Sequence, residues 1–285
     1  MILIADSGST KTDWVVLHKN KPLEHFYTDG FNPYYFGSDR FLEILEKQLL
    51  TQMPELHISS VHFYGSGCSI PENKETISLP LRKAFPNAHI EVWHDLLGAC
   101  HALLGHKRGI ACILGTGSNS CLYDGQDVIE NVPSLGYLYG DEGGGIYIGK
   151  RFLRDYMTGY LPVEISKAFE DEYHLTIKDI LKESYNNPSP NKFLARFPKF
   201  VNKYIENEYL HRLVASCFEE FFEEQVKRYT EYKDVTVNFV GSIAFFFEDI
   251  LKEVAVKEGI TVDVIHQKPM SGLIKYYENE LLLSS

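Results

Sequence analysis

Apolar positions along the chain follow two rhythms. Ile2 to Ala5, Val61 to Tyr64, Ile90 to Trp93, Ile110 to Leu114, Val235 to Val240 and Ile260 to Ile265 are short apolar or β-branched runs. That is the pattern of strands covered on both faces. Asp13 to His18 and Ser120 to Tyr123 are extended stretches that directly follow turns rich in glycine and hydroxyls, and Leu23 to Thr28 reads as another strand behind a turn at Lys19-Asn20-Lys21-Pro22. Between the strands the spacing becomes helical. Phe41, Leu42, Leu45 and Leu49 predict a helix over 40–50 with Ser38 or Asp39 as its cap. Residues 72–84, 96–104, 146–157, 245–257 and 272–283 read as helices too. From Val163 to Tyr232 the pattern is almost wholly helical, broken at Asn186-Asn187-Pro188-Ser189-Pro190-Asn191, and Phe218 to Glu224 puts aromatics on one face and acids on the other.

Strands alternating with helices predict an α/β fold. Gly105-His106-Lys107-Arg108-Gly109 is a polar, glycine-flanked break and the natural boundary between residues 1–107 and 108–271, with the closing helix at 272–285 packing back on the first half. Each half then opens on a strand, a turn and a strand.

Composition narrows the class. With 285 residues, 44% of them hydrophobic, the chain is globular and can fill real cores. A net charge of −11 argues against a broad nucleic-acid or anionic-membrane surface, which needs Lys and Arg to neutralise phosphates. No basic segment precedes the first apolar run, and Asp6 interrupts it, so neither a signal peptide nor a membrane span is expected and the chain reads as cytoplasmic. Five cysteines without a Cys-x-x-Cys pair speak against structural zinc and a disulfide framework, and predict small buried residues. Aromatic-rich helices in the second half suit a homodimer.

Candidate chemistry sits in the turns. The run Met1 to Asp13 delivers Asp6 to a strand end. Gly8 there relaxes the backbone, and Ser7, Ser9, Thr10 and Thr12 supply hydroxyls and N–H groups around an anion. A Walker loop is excluded, because Lys11 follows Thr10 and a strand rather than a helix comes next. An ordinary hairpin turn has much the same composition. The pattern recurs at Gly115-Thr116-Gly117-Ser118-Asn119, where a Rossmann fingerprint would need a third glycine and a helix. Two such turns facing across a cleft would grip successive phosphates of a nucleotide.

Other positions allow two readings each. Asp95 stands at a strand's carboxyl end where a helix begins, which suits either catalysis or a cap. Asn32, held extended by Pro33, aims its amide at a ligand or at its own backbone. Asp141 and Glu142 lie in the glycine-rich stretch Gly136 to Gly145, where bulky acids must be held by something, a ligand or the dipole of the following helix. Gly241 at a strand-to-helix step would let a flat ring lie on the backbone, or serves packing alone. His94 and His101 lack metal spacing and receive no role.

With these pieces in order, the chain resembles the actin/hexokinase/Hsp70 ATPase superfamily, whose fold is two ribonuclease-H-like lobes around a central nucleotide cleft, here with a helix-rich second lobe. Ala5 to Asp13 resembles the phosphate-1 turn, Trp93 to Gly98 the first connecting segment, Ile113 to Asn119 phosphate-2, Val240 to Ala244 the adenosine motif and Gly272 to Leu282 the second connecting helix. Gly115 to Asn119, followed by Gly136 and Gly140-Asp141-Glu142-Gly143, is similar to the N-acetylglucosamine kinase and BadF/BadG/BcrA/BcrD ATPase group. The resemblance implies an ATP- and Mg2+-dependent sugar kinase, with N-acetylglucosamine as the expected acceptor. Asp6 would position Mg2+ through water, and Gly8, Ser9, Thr10 and Lys11 with Gly115, Thr116 and Gly117 would bind the ATP phosphates. Gly241 and Ser242 would meet the nucleoside, Asp95 would be the general base, and Asn32, Asn119, Asp141 and Glu142 would contact the sugar. One departure concerns the sugar: Leu135-Gly136-Tyr137-Leu138 stands where the group has Gly-Gly-Trp-Gly. Two alternatives remain at this point: an activator ATPase for a CoA-dehydratase or reductase system, which needs cysteines around an iron–sulfur cluster, and a non-catalytic sugar-binding module.

Overall fold

One strand order is used twice. The computed structural model describes residues 1–8, 11–18, 23–53 and 57–283, so the expected phosphate contacts Ser9 and Thr10 and the turn Lys19 to Pro22 lie outside the described residues. The chain divides into two units, Met1–His106 with Lys268–Ser285, and Lys107–Gln267.

In the first unit β1 (Ile2–Ser7), β2 (Lys11–Leu17) and β3 (Glu24–Asp29) form an antiparallel meander. Helix α1 (Ser38–Ile44) continues through a π turn, Leu45–Leu49. Then β4 (Ser60–Gly65) adds parallel to β1, and after α2 (Pro71–Ala84) β5 (His89–His94) adds parallel to β4 and leads into α3 (Asp95–Leu104). The sheet order is β3-β2-β1-β4-β5. The continuous apolar run of β1 reflects two covered faces: Leu3 and Ala5 enter one core with Trp14, Phe41 and Phe63, while Ile4 enters another with Val15 and Tyr64. The expected cap of α1 needs correction. Gly37 is the N-cap and no side chain caps the helix, because the turn begins at Ser38 itself and carries Ser38 and Asp39 inside it.

The second unit repeats the plan. Strands β6 (Gly109–Leu114), β7 (Ser118–Tyr123) and β8 (Val128–Glu130) are antiparallel. The stretch Gly136 to Gly145, expected as bare loop, contains a short helix α4 (Gly136–Tyr139) before α5 (Gly145–Met157). A helical layer follows: α6 (Val163–Tyr173), α7 (Ile177–Asn186), α8 (Pro190–Leu194), α9 (Pro198–Lys203) and α10 (Glu208–Glu224). The α10 aromatics Phe218, Phe221 and Phe222 are fully buried, as their spacing predicts. Strand β9 (Val237–Val240) adds parallel to β6, and β10 (Val262–His266) parallel to β9, giving the order β10-β9-β6-β7-β8. Counted within each unit, both sheets read 3-2-1-4-5 with the same strand senses.

A single helix from Phe245 to Lys257 was the expectation, and the chain instead forms α11 (Ser242–Phe246) and α12 (Glu248–Lys257). The break falls at Phe247, which leaves helical geometry (φ −113°, ψ 28°) with its ring 3% exposed. Finally α13 (Met270–Leu283) belongs to the first unit, where Met270, Leu273 and Tyr277 join Ile4, Val15 and Tyr64. It approaches α3 so closely that a Cβ at Gly272 would stand 2.1 Å from the Ala102 carbonyl oxygen. All five cysteines are buried thiols. Among the described residues no helix is long and apolar enough to cross a membrane.

Candidate active site

In the first unit the site forms at the carboxyl ends of β1 and β5. Asp6 on β1 pairs with Asp13 on β2, and Ser7 with Thr12, in the antiparallel register. The two hydroxyls bond each other at 2.8 Å, tying the strands together just before the turn. Like charges directly opposite destabilise a sheet, so Asp6 and Asp13 are not there for the fold. Burial first, then the Asp13 and Asp95 carboxylates, push the Asp6 carboxyl up to about 7, with Lys268 pulling the other way. Burial also raises Asp13, whose Oδ2 lies 3.9 Å from Lys268 Nζ and whose buried Oδ1 has no hydrogen-bond partner among the described residues. Lys11 Nζ rests 3.5 Å from the Tyr27 ring centroid, and its charge, after those of Lys268 and His25, opposes the rise at Asp13.

Asp95 opens α3, yet it is not the cap. His94 takes that position, with Nδ1 accepting from Leu97 N at 3.2 Å. Asp95 Oδ1 accepts from Leu96 N at 3.0 Å, and Oδ2 accepts from Ser66 Oγ at 2.8 Å, so the carboxylate is oriented while remaining half-buried. Asn32 stands in the loop after β3. Its Oδ1 accepts from Tyr34 N at 3.0 Å, so the carbonyl end serves the local turn, and a Cβ at Gly67 would come within 3.0 Å of the same oxygen.

These carboxylates fit a small, hard dication. Mg2+ prefers carboxylate oxygens and keeps several waters, and Asp6 with the unpartnered Asp13 Oδ1 offers such oxygens where Lys268 offsets only part of the negative charge. Among the described residues no three His, Cys, Asp or Glu side chains converge to chelate an ion by themselves.

In the second unit three bare backbones converge. Gly145 N donates to Gly115 O at 2.8 Å and Ile146 N to Thr116 O at 2.9 Å, seating the start of α5 on the β6–β7 turn. A Cβ at Gly144 would lie 2.7 Å from the Gly117 carbonyl carbon, and one at Gly241 2.2 Å from Leu114 O. Gly241 has φ +130°, which side chains rarely adopt. Thr116 and Ser242 are exposed beside these glycines. The turn therefore presents N–H groups, a hydroxyl and little bulk, the make-up of an anion cradle.

Asp141 and Glu142 part company. Asp141 is buried in a left-handed conformation (φ 61°), with Oδ1 accepting from Ser118 N at 3.2 Å. Burial raises its carboxyl, opposed by the Ser118 N–H and then Lys150. Glu142, also raised by burial, lines a cavity of about 550 Å³ with Leu135, Tyr139, Tyr147 and Glu220. Asn119 sits at the start of β7, where its Oδ1 accepts from Ser120 N at 2.9 Å and Asn131 Nδ2 at 3.0 Å.

Sequence reading missed Asp13, Ser66, His94 and Lys268. Asp13 was findable, since it mirrors Asp6 about the hairpin turn. Ser66 and Lys268 reach the site only through sheet order and through the return of the C-terminal segment, which no local pattern reports.

A doubled 3-2-1-4-5 sheet with antiparallel first and second strands in each copy defines an actin-like ATPase fold. Among solved structures, a candidate N-acetylglucosamine kinase from Porphyromonas gingivalis is 40% identical, covering 99% of this chain and 100% of its own, with a TM-score of 0.94. A candidate N-acetylglucosamine kinase from Chromobacterium violaceum is 17% identical over 96% of this chain and 98% of its own (TM-score 0.75). A candidate N-acetylmannosamine kinase from Listeria monocytogenes is 12% identical over 100% and 99% (TM-score 0.55). The last two share the fold. No family model matches the chain, and no curated protein sequence matches it. The chain belongs to the sugar-kinase family of actin-like ATPases, the ATP-dependent carbohydrate kinases.

Proposed function

We propose that this chain transfers the γ-phosphoryl group of ATP to a hydroxyl of an amino sugar, N-acetylglucosamine first among them, with Asp95 as general base. The observation that carries the reading is the state of Asp95. The capping duty that would explain an acid at that position falls to His94, while Ser66 Oγ and Leu96 N fix the carboxylate. An oriented, accessible carboxylate can take the proton of an attacking alcohol. Phosphoryl transfer asks little more than this, positioning and charge compensation.

Within this reading Asp6, with Asp13 beside it, holds Mg2+ through water, and Mg2+ when bound supplies charge neutralisation on the phosphate oxygens. The N–H groups of Thr116 and Gly117 bind phosphate, with the Gly115 N–H spent on Gly117 O inside the turn, and Gly241 with Ser242 flanks the nucleoside. Asp141, Glu142, Asn119 and Asn32 are the proposed sugar contacts. Support for the acceptor comes from the name of the 40% identical P. gingivalis relative, and the cavity beside Glu142, about 550 Å³, is of a size that suits a monosaccharide. The group assignment to the BadF/BadG type and the dimer belong to the same proposal. The activator-ATPase alternative draws no support from the cysteines, all five of which are buried.

Asp95→Asn, assayed by coupled ADP release with N-acetylglucosamine, should lower kcat by about 10²- to 10⁴-fold. Affinity for ATP and sugar, measured by calorimetry, should change little. A variant retaining full turnover removes Asp95 as the base.

A further inference from the structure

Away from the site described above, α5 and α10 enclose a cavity of about 370 Å³ whose charged lining is Arg151, Arg154, Arg212 and Asp155. Arg151 and Arg154 are one turn apart on α5, and Arg212 and Ser216 one turn apart on α10, so each helix turns a pair toward the same space. Three guanidinium groups and one carboxylate line the space, and Glu220 and Glu208 pair with Arg151 and Arg212.

The arginines supply most of the hydrogen-bond donors in the cavity. Both oxygens of Asp155 are occupied: Oδ1 accepts from Arg154 Nε at 3.0 Å and Nη2 at 2.8 Å, and Oδ2 accepts from the Tyr209 hydroxyl at 3.0 Å. Arg151 gives Nη1 to Glu220, reaches Ser216 Oγ with Nη2 only at 3.5 Å, and has a buried Nε without a partner among the described residues. Arg212 touches Glu208 only at 3.5 Å and is 69% exposed. Guanidinium forks match phosphate oxygens in pairs. Beside them, Leu213 and the Tyr160 and Tyr209 rings offer apolar surface for a compact body. The volume is at the small end for ligand sites and suits a monosaccharide better than a nucleotide.

We infer that the cavity between α5 and α10 is a binding site for a phosphorylated monosaccharide, separate from the catalytic residues. Its ligand would act on turnover through α5, whose first turn carries the bonds from Gly145 and Ile146 to Gly115 and Thr116. The binding claim stands without the kinase reading, and only the effect on turnover rests on it.

The test is calorimetric titration of glucose 6-phosphate, inorganic phosphate, glucuronate and glucose into the full-length protein, saturated with a non-hydrolysable ATP analogue and N-acetylglucosamine. Glucose 6-phosphate should bind with a stoichiometry of one, inorganic phosphate more weakly, and glucose not at all. The double variant Arg154→Ala/Arg212→Ala, whose side chains are 59% and 69% exposed, should fold normally and bind at least about tenfold more weakly. Arg212→Lys, which keeps charge but loses the fork, should fall between. Wild-type affinity in the double variant, or no saturable binding up to about 10 mM, overturns the site. Equal binding of inorganic phosphate overturns the sugar component, and equal binding of glucuronate overturns the phosphate component. Because binding is read as heat, a chain that proves inactive on every sugar leaves this result intact.

Discussion

Asp141 lies so close against Gly117 that a Cβ on the glycine would stand 2.6 Å from Asp141 Oδ2. The acid and the turn therefore share one space, and the side chain that Gly117 lacks is the room that Asp141 fills. Gly117→Ala must displace the carboxylate and its bond from Ser118 N. Overpacking of this kind costs about 1–3 kcal/mol. We expect a modest loss of thermal stability and a rise in KM for N-acetylglucosamine. Gly144→Ala should cost more stability, because its Cβ would meet the Gly117 backbone at 2.7 Å rather than a side chain that can swing away. An unchanged sugar KM in Gly117→Ala would show that Asp141 does not reach the acceptor.

Ser66 orients Asp95. Its hydroxyl holds Oδ2 at 2.8 Å, and removing it frees the carboxylate to rotate about the remaining Leu96 N–H bond. Ser66→Ala should reduce kcat about tenfold, since misalignment of a reacting group is felt in the rate rather than in binding. KM for ATP should hold steady. A loss carried by KM instead would place Ser66 on the substrate and not on the base.

The sequence carried the fold further than the site. Strand β1 announces itself because Leu3, Ile4 and Ala5 are buried on alternating faces, which leaves an unbroken apolar run. Both glycine-hydroxyl turns are equally local, so they too were readable. What sequence pattern cannot carry is proximity across the sheet. Ser66 meets Asp95 because β4 and β5 are parallel neighbours, and Lys268 meets Asp13 because the chain returns to the first unit. The misread details have local causes of another kind. Helical spacing continues through Phe247 although burying its ring breaks the helix, and His94 is no standard cap residue, so the cap reading of Asp95 stayed open beside the catalytic one although an imidazole accepts that bond.

Asp6 opposes the stability of the fold that holds it. Its carboxyl is pushed up to about 7 by burial and by Asp13 and Asp95, so at about pH 8 it is ionised at a penalty. Asp6→Asn removes the charge and should raise the melting temperature at that pH, while abolishing turnover. Added MgCl2 should raise the melting temperature of the wild type and much less that of Asp6→Asn, since a ligand stabilises only the state that binds it. Equal shifts in both proteins would mean that Asp6 does not hold the ion.

His101 gives the first unit a pH-dependent anchor for α13. Its ring stacks on Tyr276 at 4.2 Å and 6°, and its Nδ1 shares a 2.7 Å hydrogen bond with the Tyr64 hydroxyl, which also bonds Tyr277. Burial first, then the neighbouring His106 and His62, hold its pKa down at about 4, against an ordinary value of 6.5. Between those two values the unfolded chain binds a proton that the folded chain refuses. The contribution is thus fully present above about pH 6.5 and is lost as pH falls toward 4. At 1.36 kcal/mol per pH unit the loss is on the order of 2–3 kcal/mol for a ring that keeps some solvent access. His101→Gln cannot take up that proton, so urea melts across this range should show a flatter decline than in the wild type, although the variant starts lower because the stacked ring is gone. If both proteins lose stability with the same slope, the acid sensitivity of the unit lies elsewhere.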